Sequence, residues 1–362
     1  MKIKSKWLSR PVVVALVAGL LCCLPTGNQY AQLIIGGTSL TTASTTATSF
    51  SGEATAVSGV ALGSSLTFVN SGALAVSGGA QEASAISESV AGVFTAEDLH
   101  TATIGEATAS SSEASAANIS VNTGGAFFAG GVITAAFAMS HASAVCAATG
   151  VTVTGVTEVD GLVIDGQAIA VTGAANQVAM VDGNVVVINE QFATAGGIVV
   201  NALHIMTATG VNLIFGSSSA GITCGITTTP PSQSPPCDFL TGGGWITGTP
   251  SGAKANFGVA GGIKDGAFWG HLNYIDHGNG MHVKDTAVTG YAVDPNDADC
   301  RIIDYNVTID GQAGTARVRA CDKGEPGRDD IFQIQLSNGY FAGGDLGGSH
   351  PGGGNIQLHK CQ

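Results

Sequence analysis

Short segments in which β-branched residues alternate with polar or small ones indicate β-structure over much of this 362-residue chain. The segments are residues 151–157, 162–165, 168–172 and 185–189, and Asp-Gly pairs follow or separate them at Asp160, Asp165 and Asp182. A period of two places successive side chains on opposite faces of a strand, and Asp-Gly supplies the positive φ angles of a tight hairpin turn. We therefore predict an all-β protein.

Two parts of the first half have weaker patterns. Residues 96–117 are rich in Ala, which favours a helix, but their many Ser and Thr residues compete with helical hydrogen bonding. Helix and strand both stay open there. Residues 31–90 have little periodicity, and their start is compatible with disorder.

The N-terminus has the layout of a secretory signal peptide. Residues 1–10 carry four cations, residues 11–24 are apolar, and a polar, turn-prone stretch follows up to Ala31. The apolar run is shorter than a membrane-spanning helix requires. We predict a signal peptide at residues 1–31, and hence a secreted, extracellular or cell-surface location with no transmembrane helix in the mature chain.

Positive charge is absent from residues 11–253. Nucleic-acid binding needs Lys or Arg to displace counterions from phosphates, a P-loop needs its Lys, and docking on anionic lipid needs a basic cluster. These functions are excluded over two-thirds of the chain, and we expect no nucleic-acid partner. Removal of residues 1–31 leaves 9 Lys and Arg against 26 Asp and Glu, a net charge of −17.

Six cysteines follow the predicted signal peptide, and they contain no C-x-x-C pair. An even number in an exported chain favours disulfides over zinc or redox chemistry. Six cysteines allow 15 connectivities, and the sequence alone does not choose between them. We prefer the set that never crosses the Pro-rich segment described next: Cys146–Cys224, Cys300–Cys321 and Cys237–Cys361.

A segment rich in Pro, Thr and Ser divides the chain. Its composition favours a stiff, extended linker. We predict two β-sandwich-like domains joined by this linker: a signal peptide at 1–31, a first domain at 32–225, the linker at 226–236 and a second domain at 237–362. In the second domain, residues 267–276 and 281–284 read as a hairpin whose turn, His277 to Gly280, would pair His282 near Ile275.

No nucleophile, metalloprotease, dinucleotide or EF-hand motif is present, so we predict that the chain is not an enzyme and has no cofactor. Three histidines of the hairpin, His271, His277 and His282, lie near Asp276. Such neighbours could form a zinc or copper site. Their spacing matches no metal motif, which favours surface and turn positions instead.

Two further sets of residues have a binding interpretation and a structural one. The first set offers oxygen ligands of the kind that Ca²⁺ prefers, but its spacing is that of a solvated turn rather than of a calcium loop. It consists of Asp294, Asn296, Asp297 and Asp299. The second set, Trp245 and Trp269, could stack on sugars if exposed, whereas large aromatic residues in a domain of this size usually belong to the core.

Several segments resemble known bacterial surface proteins. Those of the first domain, residues 161–167, 171–177, 187–191, 196–205 and 221–224, resemble the choice-of-anchor P family. Those of the second, residues 241–246, 253–258, 270–277, 324–329, 336–340 and 354–359, resemble the post-COAP-1 module that follows choice-of-anchor regions. The resemblance implies export and a surface-associated role with an interchangeable C-terminal anchor. It implies no catalytic residues, and this sequence contains no sortase motif.

We therefore expect a secreted or cell-surface-associated bacterial protein with a structural, adhesive or binding role. Its expected partners are cell-surface or extracellular matrix components, glycans among them. The alternatives are a carbohydrate-binding module protein and a hydrolase whose site is not recognisable from the sequence.

Overall fold

The computed structural model of the chain describes residues 44–124, 130–227, 238–264, 266–325, 327–349 and 353–360. The predicted signal peptide, residues 228–236 of the predicted linker, Cys237 and Cys361 lie outside these ranges. Within them the regular structure is entirely β, which confirms the predicted fold class. The described part of the chain has no helix long and apolar enough to cross a membrane.

The strands follow the chain in this order: β1 (Ser44–Ala61), β2 (Ser64–Asn70), β3 (Gly79–Val90), β4 (Phe94–Glu106), β5 (Ala109–Asn122), β6 (Val132–Ala147), β7 (Gly150–Asp160), β8 (Val163–Ile164), β9 (Gln167–Ala168), β10 (Gln177–Val181), β11 (Asn184–Ala193), β12 (Gly197–Met206), β13 (Asn212–Thr227), β14 (Asp238–Ile246), β15 (Ala255–Lys264), β16 (Ala267–Asp276), β17 (Met281–Asp294), β18 (Asp297–Ile309), β19 (Gln312–Cys321), β20 (Ile331–Leu336), β21 (Phe341–Asp345) and β22 (Gly354–Lys360).

These strands form three antiparallel sheets. The outer sheet has the order β10-β11-β12-β13-β1-β2, and the middle sheet has the order β3-β4-β5-β6-β8-β9, with β7 also paired to β6. The curled sheet has the order β21-β20-β19-β18-β17-β16-β15-β14-β22. Every described strand before the Pro-rich segment belongs to the outer or middle sheet, and every described strand after it belongs to the curled sheet.

The middle sheet lies between the other two. Strands β1, β12 and β13 of the outer sheet pack on β4, β5 and β6, while β14, β15 and β16 of the curled sheet pack on β3, β4 and β5 from the opposite side. The strands on either side of the Pro-rich segment are therefore in contact within one compact unit.

Residues 96–117, for which a helix was an open alternative, lie in β4 and β5. Both strands are buried along most of their length, because the outer sheet covers one of their faces and the curled sheet covers the other. Small side chains let three layers approach closely, so Ala, Ser and Thr suit this position despite their modest preference for strands. Tertiary packing, rather than local propensity, decides the structure here.

Predicted turns and hairpins are confirmed in several places. Asp165 and Asp182 have φ angles of 49° and 50°, and each begins a turn whose second residue is a glycine. In the hairpin of β16 and β17, Ile275 pairs with His282, in the register expected from the sequence.

Two apolar cores hold most of the large side chains. One fills the space between the outer and middle sheets and includes Leu99, Ile119 and Phe215. The other lies inside the curled sheet, where Phe257 stacks on Phe332 with ring centroids 3.8 Å apart. Only small apolar clusters occur between the middle and curled sheets in the described residues.

Two disulfides are present in the described residues. Cys146 of β6 is bonded to Cys224 of β13, which links the middle and outer sheets. Cys300 of β18 is bonded to Cys321, its neighbour on β19. Both are pairs of the preferred set. The third pair, Cys237–Cys361, lies outside the described residues.

Candidate functional site

The acidic residues proposed as calcium ligands lie at the turn between β17 and β18, but cations occupy the space in front of them. Asp294 Oδ2 lies 2.6 Å from Arg319 Nε, and Asp297 Oδ2 lies 2.7 Å from Lys323 Nζ. The hydrogen bond from Arg319 lowers the pKa of Asp294, and that from Lys323 lowers the pKa of Asp297. This arrangement favours a turn held by ion pairs over a calcium loop.

The remaining members of that set do not change this interpretation. Asn296 is exposed, and its backbone N–H donates to Asp294 Oδ1. Asp297 also lies near the sulfurs of Cys300 and Cys321. Those sulfurs are joined in a disulfide, so they offer no thiolate to a metal.

The three histidines of the β16–β17 hairpin point to different surroundings. His271 is 3% exposed and lies between the curled and middle sheets, whereas His277 and His282 are exposed. His277 Nε2 is 2.8 Å from Asn256 Oδ1. These three residues do not form one zinc or copper site: His271 contacts Glu82 and His100 beneath the curled sheet, whereas His277 and His282 lie at the exposed end of the hairpin.

The two tryptophans differ in accessibility. Trp245 is 4% exposed and packs with Ala117, Phe137 and Met139 between the middle and curled sheets. Its ring therefore offers no surface to a sugar, which corrects the sugar-stacking hypothesis for this residue. Trp269 is half-buried and packs edge to face against Phe239.

The densest group of titratable side chains lies between the middle and curled sheets, at a place the sequence analysis did not identify. His100 of β4 and His271 of β16 face each other, with His100 Nδ1 2.6 Å from His271 Nε2. The outer nitrogen of each ring meets a carboxylate: His100 Nε2 lies 2.8 Å from Glu113 Oε1, and His271 Nδ1 lies 2.5 Å from Glu82 Oε2. We call these four residues the histidine–glutamate chain.

A second polar group continues the layer towards β22. His141 Nε2 lies 2.8 Å from Ser111 Oγ and 2.9 Å from Gln357 Oε1. His359 Nε2 lies 3.1 Å from Thr241 Oγ1. Burial lowers the pKa of His359 to about 4, against the attraction of Glu113, so this ring is neutral at neutral pH.

Further hydrogen bonds cross the same layer. Lys284 Nζ donates to Ser84 Oγ, and Asn273 Nδ2 donates to the carbonyl oxygens of Ala85 and Leu99. Glu158 of β7 accepts the backbone N–H groups of Gly353 and Gly354. The curled sheet is thus held on the middle sheet largely by polar contacts, unlike the apolar contact between the middle and outer sheets.

Glycines of the curled sheet make room for this layer. A Cβ atom on Gly258 would lie 2.7 Å from the Cβ of His100, and one on Gly243 would lie 2.7 Å from Ser115 Oγ. Both distances are shorter than van der Waals contact allows. The absence of a side chain at these positions lets the backbone of β14 and β15 approach the histidine ring.

Gly258→Ala is expected to lower the free energy of unfolding by about 2 kcal/mol, since overpacking a filled interior typically costs 1–3 kcal/mol. Urea denaturation followed by circular dichroism would measure the loss. Gly196→Ala is the matched control, because a Cβ there would meet its nearest atom at 3.6 Å. Equal free energies of unfolding for the two variants would contradict the close approach of the β15 backbone at Gly258 to the side chain of His100.

Asp98 is the least satisfied acid in the layer. It is 2% exposed, it has a φ angle of 46°, and its Oδ1 has no hydrogen-bond partner among the described residues. Burial raises its pKa to about 8, against the attraction of Lys284. The carboxyl group is therefore mostly neutral at pH 7.

In chemical terms the histidine–glutamate chain can hold and transfer protons, but its two imidazoles are enclosed: His100 and His271 are 0% and 3% exposed, while the side chain of Glu82 at one end is 23% exposed. The sequence contains a signal for this group of residues. His100, Glu82 and Glu113 stand in strands rich in Ala, Ser and Thr, where a buried charged or polar side chain needs a partner. The identity of those partners depends on pairing across the layers.

The fold and this layer define an all-β, three-sheet protein with disulfides and a polar interface between two of its sheets. No protein-family profile matches the chain. No curated protein matches it either. A solved structure that it resembles weakly is kievitone hydratase from Nectria haematococca, with 8% sequence identity over 69% of this chain and 85% of that chain. The TM-score is 0.17, too low to support an argument about fold or function.

Proposed function

We propose that this chain is an exported, cell-surface-associated bacterial protein that acts by binding rather than by catalysis. The observation that carries the proposal is the pair of disulfides, Cys146–Cys224 and Cys300–Cys321, within an all-β body. Disulfides persist in oxidising compartments outside the cytoplasm. The signal-peptide layout of residues 1–31 and the resemblance to choice-of-anchor P proteins support the same location.

The enclosure of His100, His271 and Glu113 supports binding over catalysis. A general acid or base must come within hydrogen-bond reach of its substrate. His100 is fully buried and the side chain of Glu113 is 3% exposed, both beneath the curled sheet. These groups serve the contact between sheets.

The surface best suited to a partner is the edge of the outer sheet at β10. Val178 and Met180 are 53% and 73% exposed, and they pair with the half-buried Val187 and Val185 of β11. Among the described strands β10 ends its sheet, so its outer side can accept an added strand. We call this surface the β10 edge, and we assign to it an extended peptide segment of a cell-surface or matrix component.

Charge supports a basic partner at the β10 edge. The outer and middle sheets contain no Lys or Arg, whereas acidic residues such as Asp182 are exposed near β10. Complementary charge steers association and disfavours acidic partners. A basic, extended segment would meet both the apolar strip and the surrounding negative potential.

Fractionation of cells that produce the natural chain tests the location, with alkylation of free thiols before and after reduction. We expect the protein outside the cytoplasm, with thiols that react only after reduction. Recovery from the cytoplasm with free thiols would overturn the proposal.

Cross-linking on the cell surface tests the binding role. Met180→Lys is expected to reduce the cross-linked partner at least tenfold, since it places a positive charge in the apolar strip, where it repels a basic segment. Val76→Lys is the matched control, because Val76 is 69% exposed in a loop away from β10. Equal yields from the two variants would exclude the β10 edge as the binding surface.

Carbohydrate binding is the second candidate, and the partial exposure of Trp269 favours it. A partly exposed indole ring offers an apolar surface on which a sugar can stack. Trp269→Ala should abolish glycan-array signals if this candidate is correct. Phe341→Ala, which removes a 54% exposed ring on β21, is the control. Signals that survive Trp269→Ala would reject a role for this residue.

A further inference from the structure

The histidine–glutamate chain contains three consecutive hydrogen bonds: Glu82 to His271, His271 to His100, and His100 to Glu113. The distances of 2.5, 2.6 and 2.8 Å leave no room for a water molecule between the groups. Each contact therefore needs one proton between its two heavy atoms, because two lone pairs at such distances repel each other.

Counting protons defines the state of the chain. Three hydrogen bonds need three protons, whereas two neutral imidazoles supply only two. With both carboxylates ionised, one additional proton must be bound, so that one ring is an imidazolium and the other a neutral imidazole. A fourth proton would place two N–H groups face to face between the rings.

The surroundings indicate where the additional proton lies. Burial alone would raise the pKa of Glu113, but the hydrogen bond and the charge of His100 outweigh burial, so the pKa of Glu113 is lowered. The pKa of Glu82 is lowered in the same way by its contact with His271. Burial lowers the pKa of His271, although Glu82 opposes the shift. The lowered pKa of His271 favours this ring as the neutral one, with its proton on Nδ1 towards Glu82.

Charged and titratable groups from each neighbouring strand face this pair and set the balance. Besides the two glutamates they include a cation, an acid that is neutral at pH 7 and two histidines. Because the two glutamates are the only negative charges among these groups, the layer can hold little additional positive charge. The groups are Glu82 of β3, Asp98 of β4, Glu113 of β5, His141 of β6, Lys284 of β17 and His359 of β22.

We propose that His100 and His271 together form a buried site for a single proton, and that this proton holds the curled sheet on the middle sheet. The site joins β4 to β16, two strands on opposite sides of the Pro-rich segment, across 171 residues of sequence. Loss of the proton removes the hydrogen bond between the rings and leaves the buried carboxylate of Glu113, and that of Glu82 near Lys284, without the charge of an imidazolium. A second proton breaks the same bond by placing two donors together.

Selective ¹⁵N labelling of histidine tests the proposal on the unaltered chain, because two-bond ¹⁵N–¹H spectra distinguish imidazolium from each neutral tautomer. Between pH 6 and 8 we expect one ring with both nitrogens protonated and one ring protonated on Nδ1 alone. Two neutral rings or two imidazolium rings would overturn the proposal. A zinc or copper ion found by mass spectrometry at one equivalent per chain, and lost in His100→Gln, would also overturn it.

Glu113→Gln provides a second test with a matched control. Removing one carboxylate charge should lower the pH at which the shared proton is lost by at least one unit, because the imidazolium then has one counter-charge fewer. Glu190→Gln is the control, since Glu190 makes a comparable contact with His204 on the outer sheet, at 3.0 Å. An unchanged titration in Glu113→Gln, with the fold intact by circular dichroism, would contradict the shared proton.

Discussion

Asp98→Asn is expected to stabilise the protein at neutral and alkaline pH by several kcal/mol. A carboxyl group whose pKa is about 8 in the folded state and near 4 in the unfolded state binds more protons when folded, so it lowers the free energy of unfolding as pH rises. The loss accumulates at up to about 1.4 kcal/mol per pH unit between pH 4 and pH 8, or roughly 5 kcal/mol in total. Asparagine has the same shape, carries no charge and tolerates the φ angle of 46°.

Denaturant titrations of the native chain and of Asp98→Asn at pH 5, 7 and 9 would measure this effect. The difference in unfolding free energy should be small at pH 5 and largest at pH 9. Asp182→Asn is the matched control, because Asp182 has a similar φ angle of 50° but is exposed in the turn between β10 and β11. A pH-independent difference between the native chain and Asp98→Asn would contradict the buried, neutral carboxyl group.

The second large effect is expected from the disulfide between the middle and outer sheets. Replacing both Cys146 and Cys224 by Ala should lower the free energy of unfolding by about 4 kcal/mol, because the bond closes a loop of 78 residues. The corresponding change at Cys300 and Cys321, which are 21 residues apart, should cost about 3 kcal/mol. The longer loop loses more chain entropy when it is closed in the unfolded state.

Urea denaturation of the two double variants under oxidising conditions would test this order. Addition of reductant should lower the free energy of unfolding of the native chain. The decrease should be larger for the native chain than for either double variant, because each variant has already lost one disulfide. If removal of the Cys300–Cys321 bond proved the more damaging change, loop entropy would not be the dominant contribution, and the local packing of Cys300 and Cys321, both fully buried, would be the more important term.

The sequence predicted the parts of this fold that depend on near neighbours. Asp-Gly pairs marked turns at Asp165 and Asp182 because the glycine and the aspartate both accept positive φ angles. The hairpin register that pairs Ile275 with His282 followed from the turn length alone. In these places a few residues determine the geometry.

The histidine–glutamate chain was not predictable in the same way. His100 and His271 are 171 residues apart, and neither belongs to a motif with fixed spacing. Their contact depends on which face of β16 meets the middle sheet and on the missing side chain at Gly258. A single sequence shows that such residues are unusual in buried strands, but it does not show which strand will supply the partner.

The middle sheet has an apolar contact on one face and a polar contact on the other, and this difference has a thermodynamic consequence. Separation of the outer sheet would expose large apolar side chains such as Leu213 and Phe215, with a large increase in heat capacity and a strong dependence on urea. Separation of the curled sheet would expose mainly carboxylates, imidazoles, hydroxyls and amides, whose hydration lowers the heat capacity. Calorimetry of this protein should therefore resolve the detachment of the curled sheet as the step with the smaller heat-capacity change per unit of area exposed.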